Sequence, residues 1–145
     1  MSSSPKHFVL LILLGLFLTT SDARGLFHPE LLHVRMFNYI GPDIELSLHC
    51  QSKDDDLGLQ KIPYKVSWGF RFHSNPWGTT QFYCNFAWQD QSHWFDIFIN
   101  KRDYDYDEVE AHPWYLWTIQ PAGACKLNYN TNIFDICYPW NPPPA

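Results

Sequence analysis

The chain has 145 residues, Lys+Arg 10 against Asp+Glu 15, a formal net charge of −5, and 18% aromatic residues. That length suits one domain and is short for two, and the acidic balance argues against nucleic acid or an anionic membrane surface as the main partner. Large aromatic side chains each bury much apolar area, so a small domain can still build a core.

The N-terminus reads as a leader. Lys6 and His7 precede an unbroken apolar run, "FVLLILLGLFL", from Phe8 to Leu18, and Ser21 and Ala23 stand at −3 and −1 of a cleavage site. The run is shorter than the ~20 residues that span a bilayer, and small residues follow it. A signal peptide over residues 1–23 is therefore predicted. The expected product is a secreted single domain, residues 24–145, with no membrane insertion once the leader is removed.

From there the dominant period is two. "HVRMFN" (33–38) opens the series, and Ile44, Leu46, Leu48 and Cys50 then alternate with Glu45, Ser47 and His49. "QSKDDDLG" (51–58) reads as a solvated loop. In "YKVSWGFRFH" the residues Tyr64, Val66, Trp68, Phe70 and Phe72 face one way, as Phe82, Cys84, Phe86 and Trp88 do further on. "WFDIFI" (94–99), "WYLWTIQ" (114–120), "CKLNYN" (125–130) and "NIFDICY" (132–138) bring the count to about eight short strands. The intervening segments, "KRDYDYDEVEAHP" among them, carry the Pro, Gly, Asn and charge of turns, and no helix is convincing. The predicted fold is all-β: a single antiparallel β-sandwich stabilised by disulfides. The tail "YPWNPPPA" is expected to end the domain as an extended strap.

Four cysteines follow the leader: Cys50, Cys84, Cys125 and Cys137. An even number in a secreted chain implies two disulfides, with three connectivities open. Cys50 and Cys84 both fall on apolar strand faces and should point into the core.

The acidic runs carry no recognisable chemistry. An EF-hand loop opening at Asp54 would need Gly at its sixth position and Glu at its twelfth, where Leu59 and Lys65 stand; a loop opening at Asp103 meets Glu108 and Trp114 there. Three consecutive aspartates do not supply the opposed carboxylates of a glycosidase. No G-x-S-x-G, H-E-x-x-H or P-loop pattern occurs. No catalytic residue, metal ligand or cofactor is predicted, and binding through loops is the default class. Trp77, in the turn "NPWG", and Trp140, in the tail, have no strand to bury them. Folding back over the open end of the sandwich is favoured for both. If instead they are exposed, they could join Trp114 as stacking platforms, and a cell-wall carbohydrate-binding module is the alternative function.

Five ordered motifs, "LHCQSKDDDLG" (48–58), "WGTTQFYCNFAW" (77–88), "WFDIFINKRD" (94–103), "GACKLNYNTNIFDICYPWN" (123–141) and the leader, resemble the plant S-protein homologue family, related to secreted stigmatic self-incompatibility determinants. The resemblance runs from about Leu32 to Trp140. It implies a β-sandwich, export, no enzymatic activity, and a role as an extracellular signalling ligand of a plant cell-surface receptor. It also makes Cys50, Cys84, Cys125 and Cys137 the family-type cysteines, with Cys50–Cys137 and Cys84–Cys125 as the expected pairing. A further cysteine pair found near Val109 and His112 in many relatives is missing here. The acidic turn at 51–58 then belongs to the shared framework. Partner choice falls to loops 74–78, 89–93 and 100–112, with Asn75, Trp77, Gln91, Arg102, Asp103, Asp105 and Asp107 as candidate contacts.

Overall fold

A computed structural model of the chain describes residues 30–143, so the expected signal peptide, residues 1–23, lies outside the described residues. Nine strands follow one another: β1 (Leu31–Asn38), β2 (Leu46–Gln51), β3 (Asp56–Ile62), β4 (Ser67–His73), β5 (Gln81–Trp88), β6 (Gln91–Ile99), β7 (Trp114–Gln120), β8 (Gly123–Asn128) and β9 (Ile133–Pro139). Two short helices, α1 (Asn100–Asp103) and α2 (Tyr106–Ala111), separate β6 from β7. The strands form a five-stranded sheet, β4-β1-β7-β8-β9, and a four-stranded sheet, β3-β2-β5-β6.

Strand alternation decides what each sheet buries. Leu32, Val34 and Met36 of β1 are buried beside Trp117 and Ile119 of β7, while Leu46, Leu48, Phe82, Phe86, Phe95 and Ile97 are buried on the second sheet. Each such side chain contributes roughly 1.5–3 kcal/mol when fully removed from water. A tilted aromatic cluster closes one end of the core: Phe72 lies 4.7 Å from Phe82 and 4.8 Å from Phe98, centroid to centroid, and Phe70 lies 4.8 Å from Phe82.

The sandwich departs from the expected pattern in three places. First, β1 and β7 run parallel, with His33 beside Trp114 and Met36 beside Trp117. The chain leaves β6 at the end where β1 begins, and the helical segment carries it across to enter alongside β1 in the same direction. Second, β3 begins inside the 51–58 stretch read as a loop and continues through residues where no strand is predicted. It is an edge strand interrupted by Gly58 at φ 76°, and its pairing with β2 shifts register between His49 and Gln51. Third, β4 begins at Ser67 and not at Tyr64, because Lys65 takes a left-handed φ of 65° and breaks the strand.

The disulfides correct the expected pairing. Cys50 bonds Cys84 and Cys125 bonds Cys137. Register explains the choice: Cys50 on β2 lies directly opposite Cys84 on β5, and Cys125 on β8 directly opposite Cys137 on β9. Both bridges therefore join neighbouring strands of one sheet, and neither crosses between sheets. Cys50 and Cys84 are wholly buried, as their alternation predicts.

Beyond Pro139, where β9 ends, the tail crosses to the edge of the other sheet. The Trp140 indole N–H donates to the Pro121 carbonyl (2.9 Å), and the Asn141 backbone N–H donates to the Trp94 carbonyl (2.8 Å). The Trp140 ring packs on Phe86, Trp88 and His93. The strap closes the seam between β9 and β6, and Trp140 folds back as expected.

Candidate functional site

Strand register gathers several loops at one pole. β4 ends where β1 begins (His73 opposite Leu31), β6 ends where β5 begins (Ile99 opposite Gln81), and β2 ends beside Tyr83 of β5. The 52–55 turn, the 74–80 loop and the 100–113 segment therefore emerge together. The β5–β6 hairpin lies at the opposite pole, where Trp88 faces Gln91. Of the expected contacts, Asn75, Trp77, Asp105 and Asp107 share a pole and Gln91 does not.

Trp77 corrects its expectation: it does not fold back but stands 82% exposed at the tip of its loop. The loop beneath it is rigidly tied. Asn75 accepts from the Thr79 backbone N–H (3.0 Å) and donates its amide to the Thr79 hydroxyl (2.9 Å), while its own backbone N–H donates to Thr80 Oγ1 (2.8 Å). Gly78 takes φ 68°, a conformation that suits a residue without Cβ. Ser74 donates to Asn100 Oδ1 (2.7 Å), and the Asn100 backbone N–H donates to the Thr80 carbonyl (3.0 Å), which fastens the loop to the start of α1. Asn75 is thus a scaffold for Trp77. A large ring held exposed by such a network loses little entropy on meeting a partner.

Below Trp77 runs an open groove of about 510 Å³, lined among others by Lys53, Asp54, Asp55, Arg71 and His73 and floored by Phe72 and Phe82. The acidic turn expected to be framework therefore borders the same surface as Trp77. Within that turn Ser52 accepts from the Asp55 backbone N–H (3.0 Å) and the Ser52 N–H donates to the Asp55 carbonyl (2.8 Å), leaving both Asp54 and Asp55 side chains exposed. Asp56 faces away from this role. It meets His49 Nε2 at 2.5 Å and accepts from the Gly58 N–H (2.9 Å). These two bonds, the histidine's first, hold its carboxyl below the usual aspartate range.

The 100–111 segment is helical because its ends are satisfied locally. Asp105 caps α2 by accepting from the Asp107 N–H (3.0 Å), and Asp107 and Glu108 in the first turn complement the helix dipole. Val109 is buried beneath α2, while Tyr106 is 71% exposed. Asp107, Glu108 and Glu110 are also exposed, so the pole combines two prominent aromatics with an acidic rim.

Arg102 and Asp103 do not belong to that rim. The Asp103 side chain is fully buried. It accepts from Arg102 Nε (2.9 Å) and Nη2 (2.7 Å), from Lys126 Nζ (3.0 Å) and from the Ile99 backbone N–H (2.9 Å). The Arg102 guanidinium also lies over Tyr138, Phe95 and Trp117, at 4.9, 5.2 and 5.2 Å from the ring centroids. Both residues turn inward as an internal brace under the pole. Burial also pushes the Tyr115 phenol well above its ordinary range nearby. Sequence inspection missed Tyr106 as an exposed aromatic. Its neighbours in "DYDYDE" gave the only signal, since acidic residues on both sides leave nothing for the ring to pack against.

Among the described residues, no group of three or more His, Cys, Asp or Glu side chains is placed to hold a metal ion, and no helix is long and apolar enough to cross a membrane. Comparison with known proteins is consistent across the chain. Residues 33–140 match the family model for plant self-incompatibility protein S1. The chain is 43% identical over 110 residues to S-protein homolog 20 of Arabidopsis thaliana, covering 76% of each protein. It is 39% identical over 120 residues to S-protein homolog 19 of the same plant, covering 83% of this chain and 80% of that one. A solved structure from a family described as small, highly stable, secreted plant proteins is 18% identical with a TM-score of 0.49, covering 79% of this chain and 97% of that chain.

Proposed function

Since the chain belongs to the plant self-incompatibility protein S1 family, we propose that it is exported and acts, without catalytic activity, as an extracellular ligand for a plant cell-surface receptor. The observation that carries this reading is Trp77: a large aromatic side chain standing 82% exposed on a loop tied by the Asn75 hydrogen bonds. Exposed aromatics on a rigid base, ringed by polar residues, are the usual anchors of protein interfaces. Tyr106 stands at the same pole, and Asp54, Asp55, Asp107 and Glu110 give it an acidic rim that selects a basic counterpart.

The test applies labelled, oxidised protein to intact plant cells, with and without excess unlabelled protein. Saturable, displaceable binding is expected, and Trp77→Ala should weaken it by about 2 kcal/mol or more, as for an interface anchor. Gln91→Ala, at the opposite pole, should leave it unchanged. Binding that does not saturate, or that survives Trp77→Ala and Tyr106→Ala together, would remove the receptor-ligand reading.

A further inference from the structure

The outer face of the five-stranded sheet, around the edge from the Trp77 groove, carries a second arrangement. Across three adjacent strands Arg71, His33 and Trp114 form one row: Arg71 lies opposite His33 on β1, and His33 lies beside Trp114 on β7. The next row is Gly69, Arg35 and Leu116. Neighbouring strands are about 4.8 Å apart, so the two arginines stand on rows adjacent to each other and on either side of Gly69.

Gly69 makes the depression. A Cβ there would fall 2.4 Å from the Val34 carbonyl oxygen and 3.1 Å from the Arg35 Cα, so no side chain can fill the position. The result is a shallow pit lined by His33, Arg35, Gly69, Arg71 and Trp114, with no acidic residue in its wall. Arg35 donates one bond to Ser67 Oγ (3.0 Å), and neither arginine forms a salt bridge among the described residues. The field of the pit is cationic: burial, then Arg71 and Arg35, hold the His33 imidazole below its ordinary range. Two guanidiniums without a carboxylate partner are unusual on a chain whose net charge is −5.

Trp114 supplies the other half of the site. Its ring lies flat against His33, with centroids 4.1 Å apart and planes 11° apart, yet it remains 40% exposed. Its backbone is anchored from behind: the Tyr129 hydroxyl donates to the Trp114 carbonyl (2.7 Å), and Tyr129 itself stacks on His112 at 4.1 Å. A half-exposed indole, one face on His33 and the other free, beside two carboxylate-seeking guanidiniums matches a ring that carries an acid group.

We propose that this pit binds an acidic sugar residue of a uronic acid polymer, with Arg35 and Arg71 receiving the carboxylate and Trp114 stacking on the pyranose. Arginine forks match carboxylate geometry, and an aromatic face suits the apolar face of a sugar. A bare anion would engage the two arginines alone, whereas a ring bearing the carboxylate also covers Trp114. The pit shares Arg71 with the groove below Trp77 but does not include Trp77 itself, and it stands independently of the receptor reading.

The experiment titrates oxidised protein with oligogalacturonate, with a neutral cello-oligosaccharide and with polyglutamate, followed by calorimetry. Saturable binding to the oligouronate and none to the neutral sugar is expected. Arg35→Gln and Arg71→Gln should each weaken it roughly ten-fold or more, the loss of one charge-assisted interaction. Trp114→Ala should weaken the oligouronate and leave any residual polyglutamate association unchanged, while Trp77→Ala should leave oligouronate binding intact. Arg71 is an exposed side chain, so its variant tests the site without burdening the core; near-ultraviolet dichroism verifies the fold of each variant. Failure to bind the oligouronate overturns the proposal. Equal affinity for polyglutamate, or binding indifferent to Trp114→Ala, overturns it too and reduces the pit to general attraction for anions. Neither failure touches the cell-binding test of Trp77.

Discussion

Replacing Asp103 with asparagine removes one negative charge and almost no volume, and it tests whether the internal brace under the pole is a working part of the fold. The carboxylate holds two cations and one backbone N–H. Without it Arg102 and Lys126 lose their counter-charge, although the asparagine carbonyl can still accept one bond. Stranding a buried charge partner costs about 3–5 kcal/mol. The Arg102 and Lys126 side chains retain 19% and 15% exposure, so water relieves part of this and the lower end, about 3 kcal/mol, applies. With an unfolding entropy of about 2.1 cal/mol/K per residue over roughly 115 residues, each kcal/mol shifts Tm by about 4 °C. Thermal unfolding followed by near-ultraviolet dichroism should therefore show Tm about 12 °C lower for Asp103→Asn. Lys126→Met keeps the Arg102–Asp103 fork and should cost about 1 kcal/mol or less, the scale of a single partly exposed ion pair. An Asp103→Asn variant melting within about 3 °C of the parent, well under the 4 °C that 1 kcal/mol produces, would refute the reasoning.

Other outcomes follow from the same structure. Closing loops of 34 and 12 residues, the Cys50–Cys84 and Cys125–Cys137 bridges should contribute about 3.8 and 2.8 kcal/mol by chain entropy, which denaturant titration of the paired Cys→Ser variants measures. Because Cys137 is exposed and Cys50–Cys84 is wholly buried, mild reductant with timed alkylation should label Cys125 and Cys137 first; the reverse order would contradict the burial. Gly123→Ala should destabilise by well over about 1 kcal/mol, since its φ is 151° and a Cβ would sit 2.0 Å from the Tyr138 carbonyl oxygen. Gly58→Ala, at φ 76° with open space around it, should cost only about 1–2 kcal/mol of backbone strain, so near-equal melting of the two variants would count against the packing argument. Asp56, whose folded pKa is depressed by His49, favours the folded state above the ordinary aspartate pKa, and this contribution is lost as pH falls through the lower folded value. Carboxyl NMR titration should place its midpoint below the usual aspartate value and move it upward in His49→Gln; no movement would assign the shift elsewhere.

Much of the frame was legible because period-two alternation is set by one buried face, and Leu46–Cys50 and Phe82–Trp88 show it without interruption. What escaped notice was decided by non-local pairing. The partners of Cys50 depend on which strands become neighbours, and alternation does not state that: Cys84 faces it only because β2 and β5 pair in one register. β3 was hidden by Gly58 and three aspartates, whose local preference is for turns, yet β2 supplies the hydrogen bonds that make Asp56–Ile62 a strand. α2 is six residues long and buries only Val109, too little for a helical period to emerge. Asp103 and Asp105 look alike in "RDYDYDE", but one turns in towards Lys126 across 23 residues and the other caps a helix two residues away. Trp77 and Trp140 also looked alike. The tail can swing Trp140 onto Phe86 and Trp88, whereas the Asn75 network holds Trp77 out.

The Cys50–Cys84 bridge has a consequence for resistance to proteolysis. It closes a covalent ring that contains the acidic turn, the edge strand, β4 and the whole Trp77 loop. A single cut inside that ring, for example at the exposed Lys53, leaves both halves joined through the disulfide and still paired across β2 and β5. Such a nicked molecule stays one covalent unit until it is reduced. The surface bearing Trp77 can therefore outlast the first proteolytic event in the loop beside it.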